Sequence, residues 1–193
     1  MPRTSTAWRC SSPGVGISST SRSLRAIYCV RCGAKLERKK IGPRVRGVCP
    51  KCEWVAWNNP KPTAGVLVER NGRVLLVRRE RAPYKGYWDI PGGFVEAGEM
   101  PAKGAMREAH EETGVRIKID RLIGVYADVY REKTGSGHTF NVYYAAHPIG
   151  GRERPGDDTT ELRWFDIDAL PKQIAFPGHS RVAIKDWRRS RTT

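Results

Sequence analysis

The chain has 193 residues, 39% of them hydrophobic, which suits one folded domain with a real core and a small appended module. This composition excludes a wholly disordered chain, and no apolar run approaches the roughly 20 residues that a membrane-spanning helix needs. The formal net charge is +15, and residues 1–62 carry most of the excess, with thirteen Lys or Arg against two acids. We therefore predict a soluble protein with a strongly basic first third.

The basic first third of the chain is expected to attract anions. We predict that it assists substrate capture or partner binding and leaves the chemical step unaffected. Weak contact with nucleic acid is a second role that fits this charge, and a merely solvated basic surface is the alternative. The oligomeric state stays open, with a homodimer among the options.

Residues 1–26 are rich in Ser, Thr and Arg, contain no acid and show no periodic apolar pattern. This composition predicts a disordered basic tail. An organelle transit peptide shares the same composition and remains the alternative to a cytoplasmic location, which is our prediction.

Four of the five cysteines form two tight pairs, Cys29-x-x-Cys32 and Cys49-x-x-Cys52, with sixteen residues between the pairs. Two CxxC units at this separation, without a secretory signal, indicate metal binding in a reducing compartment. Four thiolates complete a tetrahedral shell, so we predict a structural Zn²⁺ in a zinc ribbon over residues 27–57. The fifth cysteine, Cys10, lies in the basic tail.

After a proline-containing connector at 58–62, strand and helix patterns are mixed over residues 63–190, which predicts an α/β sandwich with a mixed sheet. Asn71-Gly72 predicts a hairpin turn, Gly114 a helix end, and Gly135–Gly137 a turn between two later strands. Strands are expected at 63–69, 73–79, 87–90, 121–130, 139–146 and 163–166, and helices at 102–113 and 180–188.

The first helix carries three glutamates, Glu108, Glu111 and Glu112, at spacings that place them on one face. Three like charges so close together destabilise an isolated helix, and a bound divalent cation removes that penalty. Because Mg²⁺ and Mn²⁺ prefer carboxylate oxygens, the pattern predicts a site for Mg²⁺ or Mn²⁺. Gly104, one turn earlier, is expected to allow close approach of the metal or substrate, with packing as the alternative.

A longer pattern surrounds these glutamates and constrains nine positions over 23 residues. It resembles the Nudix box, the signature of the Nudix hydrolases, at every fixed position. The matching residues are Gly93, Glu99, Arg107, Glu108, Ala109, Glu111, Glu112, Gly114 and Val115.

The resemblance implies the Nudix fold, an α/β/α sandwich, and hydrolysis of a nucleoside diphosphate-X pyrophosphate by metal-activated water. It implies that Glu108 and Glu112 bind Mg²⁺, that Glu111 is a further ligand or holds water, and that Arg107 orients a glutamate. Glu99 is implied to support the box loop.

The general base is left open by the sequence, because its identity varies within the family. On the helix the choices are Glu111 and Glu112, and in a later loop they are Asp158 and Glu161.

The cysteine pairs followed by this box resemble one branch of the family, the zinc-containing NADH pyrophosphatases and related enzymes. This likeness implies a substrate such as ADP-ribose, NADH or FAD. The segment 172–177 keeps Gln173, Phe176 and Pro177 of the NADH branch's later motif but lacks its tryptophan, which argues against NADH specificity. The alternative function is an RNA-associated protein that uses the basic ribbon to bind nucleic acid and trims a 5′ cap or senses nucleotides.

Four aromatic residues and three histidines are further residues of interest. Stacking on a nucleotide base is one role for the aromatic residues Tyr84, Tyr87, Trp88 and Phe140, although packing is the expected one. Surface or packing roles are also expected for His138, His147 and His179.

Overall fold

The structure is a computed structural model that describes residues 26–132, 135–156 and 158–191. The predicted basic tail, apart from Ala26, and Cys10 therefore lie outside the described residues. Within the described part of the chain, no helix is both long and apolar enough to cross a membrane.

Residues 27–57, called the cysteine ribbon below, form a small antiparallel sheet. Its strands are β1 (Glu37–Ile41), β2 (Arg44–Val48) and β3 (Val55–Ala56), in that order. The two CxxC turns precede β1 and β3, so the strands bring the cysteine pairs together. Few apolar side chains of this sheet are buried; Val48 and Ala56 are the buried aliphatic ones.

The rest of the described chain forms a larger mixed sheet of seven strands. Its central order is β10-β5-β4-β9-β8; β4 and β9 are parallel, and the other pairs are antiparallel. Short strands β6 and β7 pair with β5 and β4. The strands are β4 (Lys61–Arg70), β5 (Arg73–Arg79), β6 (Trp88–Asp89), β7 (Gly92–Phe94), β8 (Val115–Glu132), β9 (Gly135–Gly151) and β10 (Thr159–Asp166).

One helix covers each face of this sheet, α1 (Pro101–Thr113) and α2 (Ser180–Arg189). Because side chains alternate along a strand, Val66 and Val68 pack toward α1 while Leu67 packs toward α2. The α1 side buries Ala105 and Ala109, and the α2 side buries Trp187 completely. The predicted α/β/α sandwich is confirmed.

The predicted turn at Asn71-Gly72 and the predicted helix end at Gly114 are both present in the structure. Asn71 and Gly72 both have positive φ, 51° and 73°, and join β4 to β5 as predicted. Gly114 has φ 70° and its N–H bonds the carbonyl of His110, which ends α1. Strand β4 begins at Lys61 and so includes the last two residues of the predicted connector.

The turn predicted at Gly135–Gly137 is wrong. These residues belong to β9, where Gly135 pairs with Glu132 and Gly137 with Tyr130. Glycine disfavours strands locally, but continuous pairing with the long β8 overrides that preference.

Candidate active site

Helix α1 places the box glutamates beside the loop that precedes it. Pro101 occupies the first helical turn, where its missing N–H costs nothing, and Met100 provides no side-chain cap. Ala105 and Ala109 pack against the sheet. The glutamates lie along another edge of the helix, which faces β7.

Arg107 links three carboxylates of the box. Its Nε and Nη2 donate to the two carboxylate oxygens of Glu99, each at 3.0 Å. Its Nη1 donates to Glu108 at 2.9 Å and to Glu111 at 3.0 Å, and Nη2 also reaches the Phe94 carbonyl. Hydrogen bonds to Glu99 and Glu108 raise the pKa of Arg107, so this residue stays charged and fixes the carboxylates on both sides.

Two glycines of β7 allow this strand to approach the carboxylates. The N–H of Gly92 donates to Glu112 Oε2 at 2.9 Å. At Gly93, a Cβ atom would lie 2.5 Å from the Glu108 carboxylate carbon. Any larger residue at position 93 would therefore displace Glu108.

The surroundings of Gly104 favour packing, the alternative to approach of metal or substrate. A Cβ at this position would lie 2.9 Å from Glu99 Oε2. Glu99 also accepts the N–H of Glu96 at 3.0 Å, and its binding to Arg107 lowers its pKa. The glycine thus leaves room for the carboxylate that holds the box loop against the helix.

A cavity of about 470 Å³, called the catalytic cavity below, lies beside the box. Glu108, Glu112 and Asp158 line it. Glu111 and Glu161 are not among its described lining residues. Glu111 is held by Arg107, and Glu161 pairs with Arg78 and Arg163 instead.

Asp158 stands at the rim of this cavity. Its carboxylate is largely exposed and pairs with Arg81 at 2.9 Å. Its loop is anchored to the end of α1, because the N–H of Gly156 and the hydroxyl of Thr159 both donate to the Glu112 carbonyl. Asp158 therefore reaches the catalytic cavity. Glu161 does not; it lies within β10, paired with Arg78, so its predicted position in a loop is wrong.

Two carboxyl groups of the site have raised pKa values, that of the buried Asp89 and that of the half-buried Glu112. Burial raises the pKa of Glu112 to about 8; the Gly92 N–H opposes the shift, and the nearby charges of Asp89 and Glu108 add to it. Burial also raises the pKa of Asp89 to about 6, although Arg79 donates to it at 2.9 Å.

This geometry fits a divalent cation. Glu112 is a half-buried carboxylate that accepts a hydrogen bond from the neutral Gly92 N–H, and further acids lie nearby. Partial burial and neighbouring acids disfavour the ionised form of Glu112 unless a positive charge lies nearby. A hard divalent cation, which prefers oxygen ligands, provides that charge. Glu108 and Glu112 are the residues that would hold it.

Sequence reasoning missed the opposite wall of the catalytic cavity. There the Tyr143 hydroxyl and His179 Nδ1 share a 2.9 Å hydrogen bond, and His179 Nε2 lies 3.8 Å from Asp128. Burial lowers the pKa of His179 to about 4 even though Asp128 opposes the shift, so the imidazole is neutral near pH 7. The expectation of a plain packing role for His179 was incomplete, because its partners are 36 and 51 residues away in sequence.

Positive and aromatic groups complete the wall. Arg79 and Arg81 line the catalytic cavity, as do Phe94 and Phe176. The Arg79 guanidinium lies 4.9 Å from the centre of the Phe176 ring. Tyr84 packs edge-on against Phe176 with ring centres 4.9 Å apart, which fits the packing role expected for Tyr84.

The four paired cysteines form a second site. Their sulfur atoms all lie within 4.8 Å of one another, and three pairs are 3.4, 3.5 and 3.8 Å apart. A tetrahedral Zn²⁺ with Zn–S bonds of about 2.3 Å requires sulfurs roughly 3.8 Å apart, so the geometry fits this ion. The distances are too long for disulfide bonds, and the Arg31 N–H points at Cys29 Sγ at 3.4 Å, as amides do toward thiolates.

We expect the metal-free protein to lose stability as the pH rises from about 4.5 to about 8. Carboxyl groups of unfolded chains titrate near pH 4, whereas Glu112 and Asp89 keep their protons to about pH 8 and 6 when folded. The folded state then binds more protons than the unfolded state, so the free energy of unfolding falls through this window. Thermal unfolding in a chelator at pH 5, 6, 7 and 8 measures this change.

Glu112→Gln is the control for the pH dependence, since an amide does not titrate. Its melting temperature should fall less between pH 5 and pH 8 than that of the unaltered protein. Adding Mg²⁺ should stabilise the unaltered protein more at pH 8 than at pH 5, because the cation competes with the proton for Glu112. Equal pH dependence in both proteins would show that Glu112 does not have this raised pKa.

The family model described as the NUDIX domain matches residues 59–185. The chain is 37% identical to an "ADP-ribose pyrophosphatase" of Methanocaldococcus jannaschii over 68% of this chain and 75% of that protein. It is 32% identical to the "NAD-capped RNA hydrolase NudC" of Pseudomonas aeruginosa over 75% of this chain and 49% of that protein. The chain thus spans about half the length of this second relative.

Among solved structures, the fold is similar to that of a NUDIX hydrolase from Nitrosomonas europaea. The TM-score is 0.69 and the identity 32%, with 85% of this chain and 89% of the other covered. A match of this extent reaches into the segment before residue 59, so it includes part of the cysteine ribbon.

Proposed function

The chain belongs to the Nudix family and is a pyrophosphohydrolase, and we propose that it cleaves the pyrophosphate of a nucleoside diphosphate joined to a second group, with ADP-ribose the first choice. The relative from Methanocaldococcus jannaschii carries ADP-ribose pyrophosphatase in its name and supports this choice. NADH and FAD are the other substrates that we propose to compare.

One observation carries the proposal. Glu108 and Glu112 line one side of the catalytic cavity, and Arg79, Arg81 and aromatic rings line the same space. A pyrophosphate needs positive charge around its oxygens, and a nucleoside base needs a flat apolar surface. The cavity offers both, and its volume of about 470 Å³ is in the range of small-molecule sites.

We propose that Glu108 and Glu112 hold Mg²⁺ or Mn²⁺ and that Arg107 keeps Glu108 in place. When bound, the cation neutralises phosphate charge and lowers the pKa of water. Arg81 is at the rim, within reach of an anionic group that enters, while Arg79 is kept in position by Asp89 and the Phe176 ring. These residues bind and orient the substrate's charged part.

The general base should be a carboxylate that reaches the cavity. Glu112 and Asp158 meet this condition, whereas Glu111 is bound by Arg107 and Glu161 pairs with two arginines away from the cavity. We propose Asp158 for the base, because holding a cation would occupy Glu112. An exposed carboxylate at the rim of the cavity can accept the proton of the attacking water, once its partner Arg81 binds the substrate's phosphates instead.

The test is a substrate panel with Mg²⁺ and with Mn²⁺, in which mass spectrometry identifies the products. It should contain ADP-ribose, NADH, FAD, a UDP-sugar and a nucleoside triphosphate. We expect the highest kcat/KM with ADP-ribose, which should yield AMP and ribose 5-phosphate. Faster hydrolysis of the triphosphate than of all the nucleoside diphosphate-X compounds would contradict the proposed substrate class.

A further inference from the structure

The wall of the catalytic cavity opposite the box has an aspartate, a tyrosine and a histidine to which the proposed reaction gives no role. Asp128 lies on β8, Tyr143 on β9, and His179 directly precedes α2. Tyr143 and His179 are buried, and the Asp128 side chain is 19% exposed. All three line the cavity, so they face the part of a substrate that fills this side of it.

Two glycines let these side chains lie close against the main chain. At Gly178, a Cβ atom would lie 2.6 Å from a carboxylate oxygen of Asp128, and at Gly65 it would lie 2.5 Å from the Tyr143 ring. Asp128 Oδ1 also accepts the N–H of Val129 at 2.7 Å. The wall is therefore held in place before a substrate arrives, which lowers the entropy that binding costs.

The position of the proton on His179 follows from its two neighbours. Tyr143 Oη lies 2.9 Å from His179 Nδ1, and Asp128 Oδ2 lies 3.8 Å from His179 Nε2. The negative carboxylate favours a hydrogen on the nitrogen that faces it, so Nε2 carries the hydrogen and Nδ1 accepts the tyrosine hydroxyl. The wall thus offers one N–H donor and one carboxylate acceptor side by side.

This donor and this acceptor do not satisfy each other, because 3.8 Å is too long for a hydrogen bond. Two neighbouring hydroxyl groups fit the pair, since one can donate to Asp128 while the other accepts from His179. A phosphate does not fit, because the carboxylate repels it. A cation does not fit either, because a protonated Nε2 has no lone pair for a metal.

We propose that Asp128 and His179 bind two neighbouring hydroxyl groups of a substrate ribose, and that Tyr143 keeps the imidazole in the form that donates. The idea rests on the proposed function, because it takes the substrate to be a nucleoside diphosphate joined to a second group. ADP-ribose has a ribose on each side of its pyrophosphate, and either one supplies the required pair of hydroxyls. A deoxy sugar binds poorly, because it leaves a charged acceptor without a partner.

The edge of a nucleobase also pairs with a donor and an acceptor, but a base needs a free ring on which to stack. Phe176, the ring beside His179, already packs against Arg79, Tyr84 and His179, at 4.9, 4.9 and 5.7 Å from its centre. Phe94, the other phenylalanine of the cavity, lies on β7 and is 49% exposed. These contacts favour a base at Phe94 and a sugar at the wall.

The experiment compares ADP-ribose with two analogues, one without the 2-hydroxyl of the adenosine ribose and one without the 2-hydroxyl of the second ribose. The full chain is assayed with Mg²⁺, and kcat/KM is measured for each compound. One analogue should be cleaved about tenfold more slowly or worse, the lower range for a lost hydrogen bond to a charged group. The affected analogue identifies the sugar that lies at the wall.

Variants of the wall should remove this discrimination between ADP-ribose and the affected analogue. Asp128→Ala should bring the two kcat/KM values within about threefold of each other, mainly by slowing ADP-ribose. Asp128→Asn should be intermediate, because its amide oxygen still accepts but has no charge. Tyr143→Phe should reduce the discrimination by about threefold, since the hydroxyl that fixes the imidazole hydrogen is lost.

Asp120→Ala is the matched control. Asp120 is an exposed aspartate of β8 that also lies beside a histidine, His147, at 2.7 Å, and neither is among the described lining residues of the cavity. This variant should keep the discrimination of the unaltered protein. Damage to the fold alone slows ADP-ribose and both analogues by the same factor, so it leaves the ratio of kcat/KM values unchanged. Melting temperatures confirm that each variant is folded.

Two results would overturn the proposal: equal hydrolysis of ADP-ribose and both analogues by the unaltered protein, or an unchanged ratio in Asp128→Ala. The inosine counterpart of ADP-ribose tests the other occupant, a base. If Asp128→Ala changes the preference for adenine over hypoxanthine and leaves the discrimination between sugars intact, the wall binds a base edge instead.

Failure of the proposed function gives a different result. A protein that prefers a nucleoside triphosphate contradicts that function, and ATP compared with dATP then tests the wall in the same variants. A protein that prefers ADP-ribose but cleaves both deoxy analogues equally well supports the function and refutes the role of the wall. Calorimetric binding of the same compounds in a chelator compares the sugars without turnover.

Discussion

Replacing Glu112 by glutamine should lower kcat by about a thousandfold or more while the fold is retained. The side chain is half-buried, faces the catalytic cavity and accepts the Gly92 N–H. Glutamine keeps nearly the same shape, but it removes the negative charge that a divalent cation requires. The measurement is steady-state kinetics with ADP-ribose and saturating Mg²⁺, together with the melting temperature of both proteins.

Glu161→Gln is the matched control for this loss. The same chemical change is made there at a carboxylate that pairs with Arg78 and Arg163 and does not line the cavity. We expect activity within about threefold of the unaltered protein, since exposed ion pairs contribute little. Activity of Glu112→Gln within tenfold of the unaltered protein would refute the metal-ligand role of Glu112, and a large loss at Glu161 would refute its placement outside the site.

The box helix and the shared face of its glutamates could be predicted from sequence, because helical spacing is a local property. Spacings of three and four residues put side chains on one helical face whatever the rest of the chain does. The capping role of Gly114 and the Asn71-Gly72 turn depend likewise on backbone preferences within a few residues. Such local patterns can be recognised without any knowledge of the tertiary fold.

The opposite wall of the site could not be predicted in the same way. His179, Tyr143 and Asp128 come from three elements, and only sheet order and the packing of α2 bring them together. The role of Gly104 was also not predictable from local sequence. Its neighbour Glu99 is close in sequence, but the direction of the Glu99 carboxylate depends on its hydrogen bonds with Arg107. Sequence alone could not decide between packing and metal approach at Gly104 for this reason.

Removing zinc should unfold the cysteine ribbon and leave the larger sheet folded. Val48 and Ala56 are the buried aliphatic side chains of the ribbon's strands, so burial of apolar surface contributes little to its stability. Structural zinc in comparable small folds supplies roughly 10–16 kcal/mol, enough to decide whether such a unit folds. Both buried clusters of the larger sheet lie outside residues 27–57 and do not depend on this ion.

We expect elemental analysis to find one zinc per chain, and strong chelation to expose residues 27–57 to limited proteolysis while the larger domain resists it. Cys49→Ser should act like chelation, because this buried cysteine lies 3.4 Å from Cys32 Sγ and provides one of four sulfur ligands. Cys10→Ser is the control, since it removes a thiol that is outside both CxxC pairs, and its zinc content should be normal. A ribbon that stays protease-resistant after complete removal of metal would show that its strands fold without the ion.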